Sequence, residues 1–104
     1  MKKKVVVRPA ADLDLEQHYL YLARQNYQVA ERFRAAVLTA KKHIVAHPTG
    51  GTRLDYPARP DLALRFIRPK GFAKYLVIYQ ITDDCVFIIR ILHGSQNLDA
   101  EVRP

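Results

Sequence analysis

The stretch LALRFIRPKGFAKYLVIYQITDDCVFIIRIL, residues 62–92, contains three apolar runs separated by two turn signals. LALRFIR (62–68), KYLVIYQI (74–81) and CVFIIRIL (85–92) each have strand length and are rich in β-branched and aromatic residues. PKGF (69–72) and TDD (82–84) supply the turns. Links this short join antiparallel neighbours, so this part of the chain predicts a meander. Alternation groups Arg65 with Ala63 and Ile67, and Arg90 with Val86, Ile88 and Leu92. An unpaired guanidinium in a core is prohibitively costly, so both arginines are expected on the sheet face turned away from any helices. That face, apolar apart from the arginines, is expected to meet a partner.

Upstream, KKVVVR (3–8) reads as a first strand. Pro9 suits the first position of a helix, and Asp12 and Asp14 lie in or near its first turn, where they complement the helix dipole. Leu15, Tyr19, Leu22 and Ala23 follow at helical spacing until the pattern breaks around Asn26. A second helix restarts near Tyr27 or Gln28, with Val29, Phe33, Ala36, Val37, Ala40 and Ile44 on one stripe, and Pro48, Gly50 and Gly51 stop it. Residues 49–61 contain two prolines and read as a loop. The predicted class is α+β in the order β-α-α-β-β-β, an antiparallel meander with a helical hairpin on one face.

All of this fits one domain, 1–104, of 104 residues. The one cysteine, Cys85, lies in an apolar run and is expected to be a small buried hydrophobe in a reducing compartment. The apolar run before Arg8 is only the three valines 5–7, too short for a secretory signal, and no run approaches a membrane span; the expectation is a soluble cytoplasmic protein. Seventeen Lys and Arg against ten Asp and Glu give a net charge of +7, which favours an anionic partner, nucleic acid or an acidic protein.

Few motifs carry chemistry. His43 and His47 have the i, i+4 spacing of helix-borne metal ligands, but a third ligand is missing nearby, so no metal or other cofactor is expected. His18, within EQHYLY, is expected to face solvent. No phosphate-binding glycine loop, paired-cysteine zinc motif or nucleophile elbow is present. Metal-free RNA cleavage remains physically sensible: it needs a base, an acid and cations around the phosphate, and His93, Tyr79, Arg65, Arg90 and Lys74 supply those residue types. The competing reading has Arg65 and Arg90 pairing with an acidic partner chain while His93 caps the sheet.

Taken in order, RPAADLDLEQHYLYLA, AERFRAAV, HPTGG, LALRFIRPKGFAKYLVIYQI and FIIRILHGSQNLDAEV resemble the RelE/ParE superfamily of bacterial toxins, specifically its ParE branch, over nearly the whole chain. The resemblance implies a toxin neutralised by a cognate acidic, ParD-like antitoxin. For the ParE branch it implies DNA gyrase as the target, reached by binding without catalysis; RelE-like members instead cut messenger RNA on the ribosome, and a non-toxic relative would only pair with an antitoxin. Many superfamily members end in His-Gly-Ala-Arg-Asp, and the nucleases use an arginine where this chain has Gln96. A neutral amide cannot stabilise a phosphorane as a guanidinium does. The Ser95-Gln96-Asn97 ending is similar to Ser-x-Asn endings of ParE-like proteins, so the resemblance favours binding over cleavage. It makes Arg65, Arg90, His93, Ser95, Gln96 and Asn97 the candidates for antitoxin or target contact.

Overall fold

A computed structural model describes residues 3–57 and 59–96. Strand β1 (Lys4–Val7) leads into helices α1 (Pro9–Gln25) and α2 (Tyr27–Ala46). After them come β2 (Thr52–Arg53), β3 (Leu64–Ile67), β4 (Tyr75–Ile81) and β5 (Cys85–His93). The expected order holds, with one addition. Thr52 and Arg53, inside the expected loop, pair with Phe66 and Arg65 and make β2 a short edge strand. The sheet order is β1-β5-β4-β3-β2; only the β1–β5 pair is parallel, and the chain between those two strands runs through both helices and then strands β2 to β4.

Local chemistry sets the helix boundaries. Pro9 occupies the first turn of α1, where its missing N–H costs no helical bond. Asn26 ends α1 and starts α2: its N–H donates to Leu22 O at 2.8 Å, and its Oδ1 accepts from Gln28 N at 2.9 Å and Val29 N at 3.3 Å. One residue therefore makes the whole inter-helix break. Across the hairpin Tyr19 donates to Glu31 Oε2, which pushes the phenol pKa up to about 12, and the Arg34 guanidinium lies 4.1 Å from the Tyr19 ring centroid. Gly71, at φ 84°, turns β3 into β4.

The helix-side core joins Ala11, Phe33, Val37, Ala40 and Ile44 to Tyr75, Val77, Tyr79, Val86, Ile88 and Ile91. Phe33, fully buried, touches the rings of Tyr75 (centroids 4.7 Å apart), Phe72 (5.2 Å) and His18 (6.2 Å). The other sheet face is not open, as expected from alternation. Leu54, Tyr56 and Leu62 from the β2–β3 loop pack on Leu64, Phe66, Leu76, Ile78, Ile89 and Leu92 as a second, smaller core. The loop thus covers apolar surface that the sequence reading left for a partner. Cys85 is half-buried, not buried. Among the described residues no helix is long and apolar enough to cross a membrane.

Candidate functional site at the end of the last strand

Beyond β1, the outer edge of β5 is completed by side chains. Val7 is the last β1 residue to pair, with Ile88, and Arg8 N donates to Ile88 O at 2.9 Å. Pro9 then carries the chain away into α1. The next edge groups of β5 would be orphaned, and α1 supplies their partners. Asp14 Oδ2 accepts from Ile91 N at 2.9 Å, and His18 Nε2 donates to Ile91 O at 2.8 Å. The i, i+4 spacing puts the two side chains one above the other on α1, so the helix stands in for a missing strand over one residue. The expectation that His18 faces solvent is overturned: its ring is half-buried and committed to β5.

The β4–β5 register slips nearby. Ile78 pairs with Arg90 but Tyr79 pairs with Ile88, leaving Ile89 as the extra residue of a bulge. Strict alternation therefore fails along β5. Val86, Ile88 and Ile91 join the helix-side core, while Ile89 and Leu92 join the other. Arg90 does not look outward from the open face. Its Nε donates to Asp14 Oδ2 at 2.7 Å and its Nη2 to Asp14 Oδ1 at 2.8 Å, a bidentate pair with side chains only 18% and 7% exposed. Asp14 is thus a buried partner of two β5 residues, not a helix-dipole ornament; Asp12, in the first turn, fills that role.

Arg65 departs from expectation for a different reason. Its alternation holds, but the face was inverted: Leu64 and Phe66 join the smaller core and Ile67 the helix-side one. The Arg65 Nη1 donates to Thr49 O at 3.2 Å and Gly51 O at 2.8 Å, fastening the turn that follows α2. Tyr79, opposite Arg65 on β4, reaches the same turn. Its hydroxyl donates to Pro48 O at 2.6 Å and accepts from Gly51 N at 3.1 Å. Burial raises the Tyr79 phenol pKa, partly opposed by the Gly51 N–H and the Arg65 charge.

The polar run that closes β5 is a self-satisfied turn. Gln96 N donates to His93 O at 2.9 Å and Gly94 N to Lys74 O at 2.7 Å. Gln96 Oε1 accepts from His93 N at 2.7 Å. Ser95 N donates to His93 Nδ1 at 3.1 Å, with Ser95 Oγ at 2.7 Å from the same nitrogen. An arginine at 96 offers no acceptor, so the amide that departs from the nuclease pattern has a structural use here. Asn97 lies outside the described residues.

The groups considered for RNA cleavage do not converge. Tyr79 and Arg65 are tied to the turn after α2, Arg90 to α1, and exposed Lys74 contributes its carbonyl to Gly94. His93 sits instead beside Tyr75, ring centroids 5.0 Å apart. His43 and His47 lie 5.2 Å apart by ring centroid, and no cluster of three or more metal-ligating side chains exists among the described residues. Sequence reasoning missed Asp14 and His18 as structural partners of β5. Their i, i+4 spacing was visible, but not that β1 stops short of Ile91.

Comparison with known proteins places this geometry. A family model described as the ParE toxin of the type II toxin–antitoxin system parDE matches residues 5–98. The chain belongs to the ParE toxin family. Its fold is shared with a solved chromosomal ParDE toxin–antitoxin system from P. aeruginosa, at a TM-score of 0.70 and 16% identity, covering 88% of this chain and 96% of that one. No curated protein sequence matches the chain.

Proposed function

We propose that this chain is the toxin of a toxin–antitoxin pair, held in check by a small acidic ParD-like antitoxin, and that it acts in the cytoplasm by binding DNA gyrase without bond-making chemistry. The carrying observation is the internal engagement of the groups a metal-free ribonuclease would need. Freeing Arg90 for a phosphate would strand the buried Asp14 carboxylate, at a cost of about 3–5 kcal/mol. Tyr79 is likewise occupied on both sides of its hydroxyl.

Charge and surface support the partner reading. A net charge of +7 favours an acidic antitoxin. Leu13 and Leu20, seven residues apart on α1, and Tyr27 and Leu38, eleven apart on α2, are all at least half exposed. These are apolar positions for an amphipathic partner segment to cover. Of the contact candidates, half-buried His93 and Gln96 and exposed Ser95 form the rim at the strand end, followed in sequence by Asn97, while Arg90 holds that rim and Arg65 the opposite flank from behind.

Purified protein added to gyrase with supercoiled plasmid should accumulate cleaved plasmid, while messages in a translating extract stay intact. Codon-edge cuts with normal supercoiling would replace this reading with ribosome-dependent cleavage. Silence in both assays would leave only antitoxin pairing.

A further inference from the structure

A cleft of about 280 Å³ opens between α1 and the end of β5, lined by His18, Tyr21, Tyr75, His93, Ser95 and Gln96. Tyr75, 8% exposed, forms its floor, edge-on to both imidazoles at centroid distances of 5.0 Å. Tyr21, 59% exposed, stands at its mouth. Among the described residues no carboxylate lines the cleft, and exposed Lys74 is adjacent in sequence to Tyr75.

The hydrogen bonds fix what each ring offers. A carbonyl can only accept, so His18 carries its proton on Nε2 toward Ile91 O, and its neutral ring keeps a lone pair on Nδ1. A backbone N–H can only donate, so His93 Nδ1 accepts from Ser95 and the neutral ring carries its proton on Nε2. The Gln96 carbonyl is taken by His93 N, which leaves its NH₂ as a donor. The cleft therefore combines aromatic surface with one acceptor and two donors whose identities the fold has set.

We infer that this cleft binds a single unpaired nucleobase of a single-stranded nucleic acid. A base presents a flat π face for Tyr21 and adjacent donor and acceptor atoms for the imidazoles and the amide. The cleft volume lies near the lower end of the roughly 300–1,000 Å³ typical of ligand pockets, suiting one ring system better than a larger cofactor. A phenylalanine side chain from a protein partner would leave each of the three polar groups unpaired. The backbone of the nucleic acid would meet a chain of net charge +7. Cleavage is no part of this inference.

The test titrates a short single-stranded oligothymidylate, which lacks a 2′-hydroxyl, into the ¹³C-labelled imidazole protein and follows the His18 and His93 resonances. Both should shift saturably, and a duplex of matching length should bind much more weakly at equal salt. Tyr21→Ala should weaken binding about tenfold or more, and Tyr21→Phe should retain it, because the stacking face rather than the hydroxyl is used. Tyr27→Ala, an equally exposed tyrosine outside the cleft, should leave affinity unchanged. Unshifted imidazoles at saturation, equal loss in the two alanine variants, or better binding of N-acetyl-tyrosinamide than of thymidine would each overturn the inference.

Discussion

The two flanks of the sheet are fastened to the helical layer by arginines in opposite chemical settings. On the β3 side, Arg65 donates to two uncharged carbonyls of the turn after α2, at 3.2 and 2.8 Å, and Tyr79 fastens the same turn through Pro48 and Gly51. On the β5 side, Arg90 meets the Asp14 carboxylate, which also satisfies the Ile91 N–H. The first fastening places a charge against neutral dipoles near solvent, where water can replace a lost contact. The second takes two charges out of water, so either alone is costly. Both hold an element that lacks a strand neighbour, but only the β5 side depends on a matched pair.

The sharpest way to break this contrast is Asp14→Ala. It takes the paired carboxylate from a guanidinium that is 18% exposed and orphans a buried backbone N–H, so a loss of about 3–5 kcal/mol is expected in chemical denaturation. Replacing both partners, Asp14→Leu with Arg90→Met, should recover much of that loss, because no buried charge remains. A double variant as unstable as Asp14→Ala would mean that the ion pair itself, rather than the cost of one charge without its counter-charge, carries the stability.

On the β3 flank, Gly51→Ala places a Cβ 2.3 Å from the Tyr79 hydroxyl and 3.0 Å from Phe66 O, an overpacking expected to cost about 1–3 kcal/mol. Tyr79→Phe removes both hydroxyl bonds at a similar cost. The same tyrosine makes the fold sensitive to alkali. Burial raises the phenol pKa of Tyr79 and of Tyr75 above the usual 10.0. Above pH 10 the unfolded chain has released those protons and the folded chain retains them, so stability is complete below pH 10 and falls as pH rises through the raised values. Denaturation midpoints at pH 9 and 11 should differ less in Tyr79→Phe than in the parent protein.

How much was legible in the sequence follows the same division. The β-α-α-β-β-β order, the break at Asn26 and the stop at Pro48 depend on local periodicity and caps, and all three are present. The sides taken by Arg65 and Arg90 were not legible. Alternation groups residues on a face without saying which face the helices cover, and a bulge at Ile89 shifts the phase without any Gly or Pro to mark it. The rule that a buried guanidinium needs a partner was sound. Its partner, Asp14, lies 76 residues away, at a helix position that also suited the dipole. At the strand end, the turn character of His93 to Gln96 was visible, whereas the nearness of His18 depended on where β1 stops.

Arg65→Ala should cost about 1 kcal/mol, well below Asp14→Ala, since its bonds are to neutral acceptors and one of them is solvent-exposed. If the two losses are equal, the distinction between the flanks fails.

Gln96→Arg tests the smallest effect and returns to the β5 side. The substitution removes the acceptor that Gln96 Oε1 offers to His93 N, but this rim is only half-buried and water can reach the freed N–H. A loss under about 1 kcal/mol is expected, with the pair of Arg90 and Asp14 intact. The protection of the His93 amide against hydrogen exchange should fall while that of Ile91, held by Asp14, is unchanged. Coupled loss at both amides would show that the turn and the ion pair form one unit, and that the strand end is fastened more rigidly than its separate bonds imply.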